Sequence, residues 1–229
     1  MQDATNKNEA LPAQHRMPFV RFELAVLGLV DGALSVLLAR RAAEPFAGRW
    51  AMPGGVLRID LERDLDDGVQ RVARERLGLE LPFVRQLVAV GSRDRDPRAP
   101  WAISLVYRAL VSIEAFAAAP GKRIEALNWR PVDQPLPGRQ MAFDHAGLVA
   151  AAVSATRAEV DSLLLPSSYL PAEFTLAELQ GICEGLLGRR LDKSSFRRKL
   201  EDRALVEPVE GKLVAGGAHR PAQVFRLRG

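Results

Sequence analysis

One cysteine, three histidines and no uninterrupted apolar run of membrane-spanning length set the first limits on this chain. The lone Cys183 rules out an internal disulfide and points to a reducing, cytoplasmic setting. It falls in helical register with Leu176, Leu179, Ile182, Leu186 and Leu187, so it reads as a small buried apolar side chain. His15, His145 and His219 are too far apart for metal-ligand spacing, and no Gly-x-Ser-x-Gly elbow or Cys-His pairing marks a nucleophilic enzyme. The opening stretch, MQDATNKNEALPAQHRMP, has acids and amides but no apolar core of a secretory signal. Residues 1–17 therefore read as a disordered leader, and no membrane partner is expected.

What is present is ordinary globular material, 48% hydrophobic and 26% charged, in 229 residues that accommodate two domains. The net charge of +4 is unevenly placed: from Glu173 onward there are eleven Lys and Arg against eight Asp and Glu. Three of the four excess charges thus sit in the last quarter. A basic terminal module beside a near-neutral domain suits nucleic-acid binding, although a solvated basic face has the same composition.

Patterning predicts a strand over Phe19–Val30, a hairpin turn at Asp31-Gly32 and a return strand over Leu34–Ala39. Trp50–Gly55 reads as a loop whose glycines let a ligand approach the backbone. A helix follows, roughly Asp64 to Leu77, with an apolar stripe of Leu65, Val69, Val72 and Ala73. Strands are expected around Arg85–Gly91, Ala102–Val111 and Ala126–Arg130, then a helix from Asp144 to about Ala158. Strands interleaved with two helices predict an α/β fold, a mixed sheet between helical layers, over residues 18–160.

Residues 161–172, with their prolines and Ser-Ser pair, read as a linker to a second domain at 173–229. There Thr175-Leu176-Ala177-Glu178 matches a capping box, and Gly188 supplies a helix stop. Asp192 is a plausible N-cap for a second helix, Lys193–Arg203. Leu205–Glu207, Leu213–Gly217 and Gln223–Leu227 read as short strands around a Gly-Gly-Ala-His-Arg-Pro loop. Helix, short turn, helix and hairpin outline a winged helix-turn-helix.

The stretch Gly54–Leu79, GGVLRIDLERDLDDGVQRVARERLGL, resembles the Nudix signature, in which a glycine pair precedes a helix ending in Arg-Glu-apolar-x-Glu-Glu-x-Gly-apolar. Arg71 and Glu75 match that ending; Val72 and Arg76 stand where two glutamates are expected. Positions 72, 75 and 76 share one helical face, so glutamates there would converge on one Mg²⁺. Valine offers no ligand, and arginine places a fixed positive charge beside the seat. The signature's earlier glutamate falls on Arg63 by register, with Glu62 beside it; Glu62, Asp64, Asp66 and Asp67 are the residues that could rebuild a weak metal site. The expectation is a receptor without catalysis and without Mg²⁺. The alternative is a Mg²⁺-dependent Nudix ADP-ribose pyrophosphatase with an accessory basic domain.

On the second helix of the terminal module Phe196 and Leu200 face inward, leaving Lys193, Ser194, Arg197 and Arg198 outward near its start, the end that reaches base edges in helix-turn-helix proteins. Arginine donates bidentate bonds to guanine, while Lys and Ser suit phosphates. The Gly216–Arg220 loop is the candidate wing.

Taken together, the chain resembles the Nudix-related transcriptional regulators of NAD metabolism (NrtR-like). The resemblance rests on WAMPGG at Trp50–Gly55, on Arg95-Asp96-Pro97-Arg98 and on Phe143-Asp144-His145. In the tail it rests on Leu165-Pro166, EFTLAELQ at Glu173–Gln180, LDKSSFRRK at Leu191–Lys199, and HRPA at His219–Ala222. It implies a Nudix α/β/α sandwich followed by a C-terminal winged helix-turn-helix domain. It also implies a homodimer that represses genes of NAD synthesis or salvage by binding double-stranded operator DNA, and leaves it on binding ADP-ribose or a related nucleotide effector. The effector-binding residues so indicated are Trp50, Gly54, Gly55, Arg58, Arg95 and Arg98, with Trp50 or Phe46 stacking a base. The DNA-binding residues are Lys193, Ser194, Ser195, Arg197, Arg198, Lys199, His219 and Arg220. A protein-interaction module with a basic tail is a third reading; it predicts no sequence-selective DNA binding.

Overall fold

Alternation along the first strand divides the molecule into its layers. In a computed structural model, which describes residues 17–114, 116–134, 140–165, 167, 169–216 and 219–228, β1 spans Phe19–Val30. Its Phe22, Leu24 and Val26 face one apolar cluster, and its Ala25 and Leu27 face another. Successive strand side chains point to opposite faces, so a strand buried on both sides serves two cores. Residues 1–16 of the expected leader lie outside the described residues.

Around β1 the sheet has seven strands: β2 (Ala33–Arg41), β3 (Trp50–Ala51), β4 (Gly54–Val56), β5 (Arg85–Ser92), β6 (Ala102–Leu110) and β7 (Ile124–Pro131). β1 pairs antiparallel with β2 and β4 but parallel with β6, so the sheet is mixed. Asp31 and Gly32 both take positive φ, 48° and 78°, the two-residue turn geometry that the Asp-Gly dipeptide favours. The expected Trp50–Gly55 loop is instead two short strands separated by Met52-Pro53, with Gly54 and Gly55 paired to Glu23 and Phe22.

Two helices cover the sheet. α1 (Leu65–Leu77) is capped by Asp64, which accepts from the Asp67 N–H, and ends at Gly78 in the left-handed conformation. It lays Val69, Val72, Ala73 and Leu77 on the face of Phe22, Leu24 and Val26. Leu65, expected in this stripe, is 38% exposed, because it sits at the first helical position and precedes the turn that meets the sheet. α2 (His145–Asp161) covers the other face through Leu148, Val149, Ala152, Val153 and Val160.

The same core continues into the terminal module. Leu163 and Leu170, in the expected linker, are buried there, so that segment is packed against the protein; Pro166 and Ser168 lie outside the described residues. α3 (Leu176–Leu187) opens on the Thr175–Glu178 capping box and stops at Gly188; α4 (Lys193–Asp202) is capped by Asp192. A three-stranded sheet of β8 (Phe174–Thr175), β10 (His219–Leu227) and β9 (Val206–Gly216) completes the winged fold. Two strands were expected where β9 runs unbroken. Pro208 and Gly211 interrupt the sequence pattern, but pairing to β10 continues past them through register shifts.

Candidate functional site

The glycine strand and α1 converge on one region, and what they place there does not suit a metal. Val72 is wholly buried, and a Cβ built on Gly55 would lie 2.7 Å from its Cγ2, so the backbone rests on the valine. Arg76 reaches across to donate from Nε to the Gly54 carbonyl at 2.8 Å and from Nη1 to the Lys122 carbonyl. Arg71 donates to Glu75 at 3.2 Å, to the Val56 carbonyl at 2.7 Å and to Glu62. Glu62 also accepts from the Arg58 N–H. Arg63 is exposed and pairs with Asp67 one turn along at 2.7 Å. Asp64 is committed to its cap. Glu62, Asp64, Asp67 and Glu75 thus each have a protein partner, and among the described residues no three His, Cys, Asp or Glu gather as ligands. The arrangement does not fit Mg²⁺, which needs several free oxygens in octahedral order.

Arginines dominate the adjacent pocket. Its lining includes Arg21, Arg40, Arg41, Arg76, Arg98 and Arg123 together with Gly54, against a single acid, Glu44. The pocket, partly open to solvent, holds about 60 Å³, room for the charged centre of a ligand whose remainder would lie on the surrounding surface. Arg41 is pushed down to about 10, first by burial and then by Arg21 and Arg98. Arg98 is fixed by Asp96, whose Oδ1 accepts from Nε at 2.8 Å, and its guanidinium lies 5.1 Å from the Phe19 ring centroid.

Beside the pocket is a recess lined by Arg21, Glu23, Arg95, Asp96, Ser104, Phe143 and His145. Glu23 is 1% exposed. Burial alone would raise its carboxyl, but Arg21, bonded at 2.7 Å, and then His145 hold it at about 2. The Met52 N–H donates to His145 Nδ1 at 3.0 Å, which puts the ring proton on Nε2, 3.7 Å from Glu23 Oε2. A Cβ on Gly54 would fall 2.0 Å from that same oxygen, so glycine is required for the strand to pass. Phe143 stacks on His145, meets Phe46 edge to face at 4.8 Å and carries Arg21 and Arg41 over its ring. Both phenylalanines have positive φ, an uncommon conformation for aromatic residues.

Of the expected effector residues, Gly54 and Arg98 line the pocket, and Arg95 lines the recess, donating to Ser104 Oγ at 3.0 Å and to Asp144. Three lie elsewhere. Trp50 packs against the core above α2, its carbonyl accepting from the Ala142 N–H. Gly55 faces Val72, and Arg58 is exposed beside Asp60 at 3.2 Å. Phe46, offered for base stacking, is already engaged with Phe143. Sequence patterning missed Arg21, Glu23, Arg41 and Arg123. The signal available was an Arg and a Glu two apart inside an otherwise apolar strand, both therefore on one buried face.

The terminal module exposes a different kind of surface. On α4, Lys193, Ser194, Arg198 and Lys199 are exposed, Ser195 and Arg197 are half-buried, and Phe196 and Leu200 are inside. None of the α4 cations forms an ion pair among the described residues, whereas Arg190, Lys212, Arg226 and Arg228 nearby all do. Glu184 sets the turn before α4, accepting from the Leu191 N–H and Gln180 at 2.9 Å each and from Arg190 at 2.8 Å; these bonds hold it at about 2. His219 and Arg220 open β10 at the wing; Gly217 and Ala218 lie outside the described residues.

α2 touches both regions. Its start carries His145 and the Arg95-bound Asp144; near its end Arg157 pairs with Asp133 at 2.7 Å and donates to the Leu186 carbonyl at 3.3 Å. Just beyond, Asp161 pairs with Arg189, and the Ser162 carbonyl accepts from Arg203 at 2.8 Å. α3 docks directly on the β1–β2 turn: a Cβ on Gly185 would lie 2.6 Å from the Gly32 carbonyl oxygen.

Comparison with known proteins agrees with this division. The family description "NrtR DNA-binding winged helix domain" matches residues 166–227, and "NUDIX domain" matches 21–152. The chain is 32% identical over 210 residues to the ADPR responsive transcriptional repressor NtrR of Acinetobacter baylyi, covering 92% of this chain and 82% of that one. The crystal structure of Shewanella oneidensis NrtR complexed with a 27mer DNA superposes with a TM-score of 0.72 at 30% identity, covering 91% and 93% of the two chains. The NUDIX domain of the same Shewanella protein, complexed with ADP ribose, gives a TM-score of 0.56 at 27% identity over 68% of this chain and 99% of that one.

Proposed function

This chain belongs to the NrtR family of regulators, which join a Nudix domain to a winged-helix DNA-binding domain, and on that premise we propose that it is a ligand-responsive transcriptional repressor. Operator DNA is held by α4 and the wing of two copies in a homodimer, and is released when ADP-ribose or a related nucleotide occupies the arginine pocket. The genes it controls are those of NAD synthesis or salvage, read in the cytoplasm on the nucleoid. The observation that carries this reading is the coexistence of two positive surfaces, one recessed and one solvent-facing, joined by α2. The names of relatives support both halves: a repressor responsive to ADPR, and a homologue crystallised with duplex DNA and, as its NUDIX domain, with ADP ribose.

Hydrolysis is not part of this function. Valine and arginine at positions 72 and 76 supply no metal ligand, and Glu62 and Glu75 are both tied to Arg71. What remains is binding. A diphosphate entering the pocket meets Arg98, Arg21 and Arg76 as donors of charge-assisted bonds. Drawing Arg21 toward the ligand loosens its hold on Glu23, and with it the Glu23–His145–Met52 contacts that seat the start of α2. A shift of α2 reaches the reader helices through Arg157, Asp161 and Ser162. Coupling of this kind is reciprocal in free energy, so DNA must weaken effector binding by the factor that effector weakens DNA binding.

The test is a mobility-shift assay on DNA upstream of the protein's own gene and its neighbours, with and without ADP-ribose, beside an activity assay with Mg²⁺. A retarded band that disappears as ADP-ribose is added, without release of AMP, is the expected result. Rapid Mg²⁺-driven turnover of ADP-ribose would instead establish the pyrophosphatase reading.

A further inference from the structure

Three seats on α1 decide how a diphosphate is neutralised. With glutamates at positions 72, 75 and 76 the seats would carry three negative charges, and phosphate oxygens could approach only with a divalent cation between. Here the valine is neutral and buried, Glu75 is paired with Arg71, and position 76 is itself a cation. Nothing on this face demands a metal.

We infer that the Arg76 guanidinium takes the place of the divalent cation, so that a diphosphate is neutralised in this pocket by protein side chains alone and binds independently of Mg²⁺. This rests on the reading of the arginine pocket as a diphosphate site, and it names the residue that makes the site metal-free.

Geometry supports the assignment. Arg76 comes from α1, crosses beneath the glycine strand and lines the same pocket as Arg21 and Arg98. Its Nε and Nη1 are bonded to the carbonyls of Gly54 and Lys122, which fix the plane of the guanidinium; Nη2 makes no hydrogen bond among the described residues. Two of its neighbours are differently occupied, Arg21 bonded to Glu23 and Arg98 to Asp96, while Arg41, like Arg76, donates to backbone carbonyls. Carbonyl partners leave the formal charge of Arg76 uncancelled, whereas carboxylate partners cancel most of theirs. Burial first disfavours the charged form of Arg76; Glu75 acts against that, and Arg123 and Arg21 add to it. Arginine keeps its proton regardless, and presents a planar fork that matches phosphate oxygens.

The experiment is calorimetric titration of the full chain with ADP-ribose and, separately, with inorganic pyrophosphate, each in EDTA and in Mg²⁺. For the native protein the inference expects affinities that differ by less than about twofold between the two conditions; a requirement for Mg²⁺ overturns it without any variant. Arg76→Gln should weaken both ligands roughly tenfold to a hundredfold, the range for removing a charged hydrogen-bond donor. Arg76→Lys should fall between. Arg76→Glu should bind more weakly still in EDTA and regain affinity when Mg²⁺ is added. Circular dichroism confirms that each variant is folded. Unchanged affinity in folded Arg76→Gln overturns the role. Uptake of pyrophosphate but not ADP-ribose by the native protein refutes the effector assignment while leaving Arg76 in place; uptake of neither refutes both.

Discussion

The pocket and the recognition helix are both rich in cations, yet the two surfaces hold them in opposite ways. In the pocket the arginines are partly buried and aimed by carboxylates and backbone carbonyls, and Arg41 is depressed to about 10, by burial first and then by Arg21 and Arg98. On α4 the cations are mostly exposed and have no acidic partner among the described residues, although basic residues around them do. Fixed, desolvated charge selects a small anion by geometry and resists salt. Mobile, solvated charge suits a long polyanion whose counterions are released on contact, which makes binding steeply salt-dependent. One chain therefore carries two kinds of cationic surface, and α2 connects them.

The contrast should fail most sharply when the recognition helix is stripped of charge. The double variant Arg197→Gln, Arg198→Gln should abolish detectable operator retardation and lower the salt slope by about one for each phosphate that is no longer neutralised, while ADP-ribose titrations remain unchanged. Retained specific binding would exclude α4 as the reader. A smaller effect is expected at the junction. In Gly185→Ala the new methyl meets the Gly32 carbonyl, and overpacking of that kind costs about 1–3 kcal/mol in denaturant unfolding. Because the clash lies between the two surfaces, operator affinity and effector affinity should each survive while the response of one to the other shrinks. An undiminished response would place the coupling elsewhere.

Smallest is an effect of acid. Glu23 and Glu184 are both held at about 2, against an ordinary value of 4.5, so the unfolded chain takes up their protons first. Each contributes stability that is complete above pH 4.5 and is lost as pH falls from there through 2. Thermal unfolding followed between about pH 6 and pH 2 should show this decline, and Glu184→Gln should make it shallower. An equal slope in that variant would mean that Glu184 does not hold the turn.

Much of the architecture was legible in the chain because local signals and burial agree: the Asp-Gly turn, the Thr175–Glu178 box, the Gly78 and Gly188 stops and the Asp192 cap each satisfy a backbone group that their own neighbours leave open. The pocket was less legible. Val72 and Arg76 could be read against the Nudix signature, but a register count could not show that Arg71 reaches back to Glu62, beside Arg63. Trp50, offered for base stacking, is partly buried against the core. Arg21 and Glu23 were passed over because a strand buried on both faces hides its own alternation. Their partners, His145 and Phe143, lie more than a hundred residues away, a distance no local pattern spans.

The link between the two surfaces is tested most directly by measuring it from both ends with one preparation. Fluorescence anisotropy gives operator affinity at zero and at saturating ADP-ribose; calorimetry gives ADP-ribose affinity with and without saturating operator. Each ligand should weaken the other, and by the same factor. Operator affinity unchanged at saturating ADP-ribose would contradict a repressor released by that nucleotide.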